Sequence, residues 1–151
     1  MKKYKGYLNS KIGILEIICN EISLEEINFV EFEQPDEENN LIKDIKEQLN
    51  EYFESKRKSF NIPLLLKGTE FQKAVWNELQ NIPYGNTISY KQVAANINNP
   101  KAVRAVGSAN GKNKIPIIIP CHRVIGNNGK LSGYAGGAWR KEILLQIENT
   151  K

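Results

Sequence analysis

Cys121, His122 and Arg123 stand together in the run Ile115-Pro116-Ile117-Ile118-Ile119-Pro120-Cys121-His122-Arg123-Val124, and His122 is the only histidine of the chain. A thiolate is a far better nucleophile than a thiol, and cationic neighbours lower a thiol's pKa from its free value near ~8.5. The apolar stretch, fenced by two prolines, is suited to presenting the polar trio at the rim of a core. Neighbouring side chains in an extended segment point to opposite faces, so direct Cys121–His122 contact needs a turn here or a bridging water. Glu148 falls near the buried edge of the last expected helix, four residues after Leu144. A buried carboxylate needs a partner, and His122 is the candidate. Together these residues have the makings of an activated cysteine nucleophile with an imidazole base. Cys19, the other cysteine, has no such neighbours and reads as a small buried hydrophobe.

The 151 residues suffice for one ordinary domain or two small ones packed together. With 40% hydrophobic and 25% charged residues the composition is globular. Two cysteines imply no disulfide framework, so a reducing, cytoplasmic setting is expected, or a nuclear one in a eukaryote. With a single histidine, a typical structural zinc site would need carboxylates as well, so neither metal nor cofactor is expected. The N-terminus is basic but no signal-type apolar stretch follows it. Ile12 to Cys19 is broken by Gly13 and Glu16 and is too short to span a membrane.

The net charge of +4 is unevenly distributed. Met1 to Lys67 holds 10 basic and 13 acidic residues, whereas Gly68 to Lys151 holds 11 basic and 4 acidic. No acidic residue lies between Glu78 and Glu142, a stretch that carries Lys91, Lys101, Arg104, Lys112, Lys114, Arg123, Lys130 and Arg140. A solvated basic surface would account for this; so would a polyanionic partner, which the positions of the motifs favour.

The elements that must hold these groups divide at about residue 67. Ile12 to Cys19 reads as a strand, and Ile27 and Phe29 alternate in a second. Gln34 to Asn40 is a polar loop, and Leu41, Ile45, Leu49 and Phe53 then form a helical stripe that Lys56-Arg57-Lys58 should close. Asn61 to Lys67 reads as a connector between an N-terminal domain of residues 1–67 and a C-terminal domain of residues 68–151. Thr69 and Gln72 have capping-box spacing ahead of Phe71, Val75, Leu79 and Ile82. Ser89 and Gln92 repeat it for a short helix through Ile97. Asn99 as N-cap and Pro100 at the first position should open the next, which ends near Gly111. The two short helices make a helix-turn-helix candidate. The fold class expected is therefore α+β, a small sheet with a helix followed by a mostly helical, winged-helix-like domain. A final helix is expected to turn Trp139, Ile143, Leu144 and Ile147 inward, and Trp76 also reads as core.

On the second helix of the pair, Val103, Val106, Ala102 and Ala109 suit a core. Arg104, Gly107, Ser108 and Gly111 share another face with one long cation and little else protruding. Gly107 costs a helix roughly 1 kcal/mol against Ala. Close packing against another helix is one reason for it; close approach to a nucleic-acid backbone, with Arg104 as probe, is the other. The glycines from Gly126 to Gly137 are too irregular for a Walker or dinucleotide motif.

With the box Pro120-Cys121-His122-Arg123-Val124, the sequence resembles the O6-alkylguanine-DNA alkyltransferases, or methylated-DNA–protein-cysteine methyltransferases. Ser89-Tyr90, Asn99-Pro100-Lys101-Ala102, Arg104-Ala105-Val106-Gly107 and Tyr134 followed by Gly136-Gly137 match in order and spacing. The resemblance is strong from Gly68 to Glu148 and looser before. It implies a single-turnover repair protein in which Cys121 irreversibly takes the alkyl group from O6-alkylguanine, and also from O4-alkylthymine, in double-stranded DNA. His122 would act as base through a water, with Glu148 orienting it and Asn113 tying the helix to the reactive segment. The lesion must leave the stack, at a cost of a few kcal/mol. Arg104 would fill the gap, and Tyr90 would push the phosphate and bond the flipped base. Lys101, Gly107, Ser108 and Arg123 would join the minor-groove contacts of a monomer. Val124, Tyr134, Ala135, Pro116 and Ser132 would line the pocket, where the carbonyls of Cys121 and Val124 and the amide of Ala135 read the guanine edge. Ala135 and Ser132 depart from the serine and glycine of some members, and the zinc ligands of some animal members have no counterpart.

Three rival readings make different demands. A non-catalytic lesion-binding protein would lack Cys121. A helix-turn-helix regulator would need base-reading polar side chains, which the mostly small residues of Lys101 to Asn110 do not supply. A cysteine hydrolase would have only His122 to use.

Overall fold

A computed structural model describes residues 1–126, 134 and 136–148. The chain divides into two compact units, Met1–Lys67 and Gly68–Lys151.

In the first unit, three antiparallel strands follow one another: β1 (Tyr4–Ser10), β2 (Gly13–Cys19) and β3 (Leu24–Val30). The first hairpin turns at Lys11-Ile12, with Gly13 at φ 102°, a conformation that favours glycine. Strands form where Ile12 to Cys19 and the Ile27–Phe29 segment predict them, whereas β1 is not predicted because its lysines and tyrosines mask the apolar face. Helix α1 (Asn40–Phe53) is capped by Asn39, which accepts from the Ile42 amide, and it buries Ile42, Ile45, Leu49, Tyr52 and Phe53. Lys56-Arg57-Lys58, expected to close this helix, lies beyond it: the helix ends at Phe53, and Ser55 takes φ 60° to turn the chain away. The connector is pinned to β3. The Leu24 amide donates to the Pro63 carbonyl, the Leu65 amide to the Leu24 carbonyl, and Lys67 pairs with buried Glu25.

The second unit opens with α2 (Glu70–Leu79), where Thr69 and Gln72 form both halves of the expected capping box. Val75, Trp76 and Leu79 are buried, and the Trp76 indole donates to the Ala109 carbonyl at 2.8 Å. A two-residue strand, β4 (Ile88–Ser89), leads into α3 (Tyr90–Asn96), which Ser89 caps. Helix α4 (Val103–Gly111) packs against α2 and α3. Asn99 does not cap α4, contrary to expectation. Its carbonyl accepts from the Ala102 amide, closing a turn through Pro100, and the helix begins only at Val103. Strand β5 (Val124–Ile125) pairs in parallel with β4, so the segment after Cys121 is tied to the start of α3.

The last helix, α5 (Ala138–Ile147), is rotated from the expected phase. Lys141, Leu144, Leu145 and Glu148 face inward, while Trp139 is 50% exposed with Arg140 stacked 4.4 Å above its ring. The buried stripe has charged residues at both ends, so a search for apolar periodicity chose the wrong face. No helix among the described residues is long and apolar enough to cross a membrane.

Candidate active site

The run Ile115 to Pro120 is a buried, irregular loop, held by Asn113 at both ends. The Asn113 amide donates to the Ile119 carbonyl at 2.8 Å, and its Oδ1 accepts from the Ile115 amide at 3.0 Å. Within the loop, Ile117 sits at φ 76°, a strained setting for a β-branched residue. Pro120, at φ −79° and ψ 63°, centres an inverse γ-turn in which the Cys121 amide donates to the Ile119 carbonyl at 2.8 Å. One 3₁₀ turn, Cys121–Arg123, follows at once. Asn113 thus ties the end of α4 to the reactive segment, and the chain turns at Cys121–Arg123.

This turn sends three polar side chains inward. His122 Nε2 lies 2.6 Å from Glu148 Oε2, and both side chains are removed from solvent. Arg123 forks onto the same carboxylate, Nε to Oε1 at 2.8 Å and Nη2 to Oε2 at 3.0 Å, while Nη1 donates to the Ile82 carbonyl at 2.7 Å. The sequence reading set Arg123 among the DNA contacts, but its guanidinium is buried and engaged by Glu148. It had given that carboxylate only His122. A fork–fork pair in a buried site holds its geometry and offsets the burial of both charges.

With the carboxylate at Nε2, the neutral imidazole carries its proton there, which leaves Nδ1 as an acceptor. Nδ1 is buried and has no hydrogen-bond partner. Burial lowers the His122 pKa, with Glu148 opposing, so the ring is neutral and basic near pH 7. Burial pushes the Cys121 thiol up to about 11, opposed by the Asn113 side chain and the charge of Lys141. The resting sulfur is therefore a thiol, and its reaction needs a base. Cys19 is inert by the same logic, pushed up to about 12 by burial in β2.

Lys141, absent from the sequence reading, is fully buried and donates to the Val124 carbonyl at 2.5 Å. Its ammonium lies 5.9 Å from the Tyr90 ring centroid, and burial lowers its pKa to about 8. Asn110 was also missed. It is 1% exposed, and its amide donates to the Cys121 carbonyl at 3.3 Å. The signal for Lys141 was its spacing seven residues before Glu148, which puts both on one helical face.

Tyr90 opens α3, and burial raises its phenol pKa. Lys101, Arg104, Ala105 and Ser108 are exposed on the turn and outer face of α4, with Gly107 half-buried between them. A Cβ built on Gly107 would meet only the Tyr90 ring, at 3.9 Å. That is ordinary contact, so helix packing does not demand this glycine. Val124, Tyr134 and Pro116 are buried near the site, while Ser132 and Ala135 lie outside the described residues.

Residues 70–150 match the family described as 6-O-methylguanine DNA methyltransferase, DNA binding domain, and residues 3–66 match its ribonuclease-like domain. A methylated-DNA–protein-cysteine methyltransferase of Methanosarcina acetivorans is 47% identical over 97% of this chain and 99% of its own. The crystal structure of the Mycobacterium tuberculosis O6-methylguanine methyltransferase superposes with a TM-score of 0.87 at 41% identity, covering 97% of this chain and 93% of that one. A second structure from that organism, its OGT in complex with DNA, gives 0.85 at 43% identity, over 94% and 90%.

Proposed function

The chain belongs to the 6-O-methylguanine DNA methyltransferase family, and from that premise we propose that it repairs DNA by direct reversal, moving an alkyl group from O6-alkylguanine to Cys121. The observation that carries the mechanism is the free, buried Nδ1 of His122, held basic by Glu148 one residue from the thiol. The thiol proton passes through a bridging water to Nδ1 while Sγ attacks the alkyl carbon. The carbon–sulfur bond forms as the carbon–O6 bond breaks. The proton taken from the thiol passes on from His122 through water to the departing guanine, which becomes ordinary guanine and leaves the imidazole neutral. A thioether on Cys121 has no route back, so each molecule reacts once. Lys141 supports the negative charge that grows on sulfur. O4-alkylthymine enters by the same chemistry.

The alkyl group is out of reach inside a duplex, so the nucleotide is flipped out. DNA lies along α3 and α4, a helix-turn-helix pair with β4 and β5 in the place of a small wing, and α4 enters the minor groove. Lys101 and Ser108 contact the backbone, Gly107 lets it approach, and Arg104 fills the vacated stack. Tyr90 and Asn113 serve the site, and Val124, Tyr134 and Pro116 line the pocket. Residues 68–151 do the work, residues 1–67 act as scaffold, and the protein acts as a cytoplasmic monomer.

Incubation with O6-methylguanine duplex, followed by intact mass and peptide mapping, tests this. One methyl on Cys121, stoichiometric with repaired DNA, is expected. Repeated turnover, or an unmodified Cys121 beside repaired DNA, overturns the reading.

A further inference from the structure

Asn110 is 1% exposed, yet its Oδ1 has no hydrogen-bond partner. Buried side-chain acceptors are seldom left this way, because an unmade bond costs about 1–3 kcal/mol. The orientation of the amide follows from its neighbours. Nδ2 faces the Cys121 carbonyl at 3.3 Å, where only a donor fits, and the Asn110 side chain opposes the rise that burial imposes on the Tyr90 phenol pKa. The amide nitrogen is thus directed at the reactive residue. What remains is an acceptor oxygen on α4, a few ångströms from the backbone of Cys121.

The position of that oxygen bears on which lesion is read. On the repair reading above, the flipped base lies against the carbonyls of Cys121 and Val124. Each of these already accepts one bond, from Asn110 and from Lys141 respectively. Alkylation at O6 removes the ring proton of guanine, so the exocyclic 2-amino group is the only hydrogen-bond donor left on the base. It carries two hydrogens, and a buried acceptor with no protein donor nearby suits one of them. O4-alkylthymine has no donor at all, since its ring nitrogen loses its proton in the same way.

We propose that Asn110 is a specificity-determining residue whose Oδ1 accepts from the 2-amino group of the flipped O6-alkylguanine. The proposal rests on the repair reading and extends it to a residue on the DNA-facing helix. Asn110 then has two tasks, holding the Cys121 carbonyl in place with its amide nitrogen and testing the base with its oxygen. A lesion without the amino group leaves Oδ1 buried and unbonded. Sites built around a buried polar group discriminate strongly against substrates that lack its partner.

The test compares single-turnover rates on duplexes carrying O6-methylguanine and on identical duplexes carrying 6-methoxypurine, which lacks only the 2-amino group. The unsubstituted protein should prefer O6-methylguanine by about tenfold or more. Asn110→Ala and Asn110→Leu should each lose about tenfold more on O6-methylguanine than on 6-methoxypurine, any loss shared by both substrates reading the hold on the Cys121 carbonyl. Equal losses on both substrates would make Asn110 a purely structural residue and overturn the proposal, as would no loss on either. Should both variants fail to fold, the unsubstituted protein decides: a preference under about threefold overturns the proposal. Absence of transfer by the unsubstituted protein from either duplex is a different failure, of the repair reading itself, and it is visible before any variant is made.

Discussion

His122 Nε2 lies 2.6 Å from Glu148 Oε2, with both side chains fully buried. The same carboxylate carries the Arg123 fork, so one residue at the end of α5 both orients the base and neutralises a buried cation. Glu148→Gln leaves the Arg123 charge uncompensated. Removing one partner of such a buried pair costs about 3–5 kcal/mol. The variant also loses the group that opposes the fall of the His122 pKa, weakening the base. Urea unfolding should show the stability loss, and transfer should slow by about 10²-fold or more. Unfolding at the parent's urea concentration would show that the trio is not the anchor described.

The only histidine of the chain gives an unusually clean pH signature. Burial places the folded His122 pKa below its unfolded value near ~6.5. As pH falls through that value the unfolded chain takes up a proton before the folded one. Stability contributed by neutral His122 is therefore complete above about pH 6.5 and declines below it, until the folded value is passed. The transfer rate should stay level through pH 6.5 and drop only below it. Denaturant midpoints between pH 7.5 and 5.5 should slope for the parent and flatten for His122→Gln; parallel slopes would contradict the assignment.

Much of this site was legible because its chemistry is written in adjacent residues. Cys121, His122 and the buried edge at Glu148 could be joined from spacing alone, and Thr69 with Gln72 gave the capping box outright. What escaped is what depends on a third dimension. Arg123 looked like a surface cation because sequence carries no sign that Glu148 has room for two partners. Lys141 was passed over because core faces are sought by their apolar residues, and this one begins and ends on charges. Asn110 sits in the last turn of α4, on the face of buried Val106 and Ala109, so its position was readable as inward but not its unpaired oxygen. The β1 strand hid behind lysines and tyrosines whose polar ends reach solvent.

Arg104 stands alone as a long side chain on the outer face of α4, surrounded by Ala105, Gly107 and Ser108. A residue that fills the gap left by a flipped base matters only when there is a stack to enter. Arg104→Ala should slow repair of O6-methylguanine in duplex DNA by about 10-fold or more while changing transfer from the free base little. Single-turnover rates on both substrates decide it, and equal losses would assign Arg104 to the pocket instead. The duplex rate should also fall with added salt, since phosphate contacts release counterions.

Lys141→Met separates stability from activity. Lys141 has a folded pKa of about 8, against about 10.4 when unfolded. Between those values the unfolded chain holds the proton and the folded chain does not, so stability rises with pH across the window. Below pH 8 both states are charged, and burying that charge costs roughly 3 kcal/mol at 1.36 kcal/mol per unit. Methionine fills a similar volume without the charge, though it gives up the bond to the Val124 carbonyl. The variant should therefore match or exceed the parent in urea at pH 7, and the rise of stability between pH 8 and 10 should vanish. Its Cys121 loses the one cation that opposes the upward push of burial, so alkylation by iodoacetamide should need a higher pH than in the parent. A variant that is less stable at pH 7 yet equally reactive would show that Lys141 is held for its hydrogen bond and not for its charge.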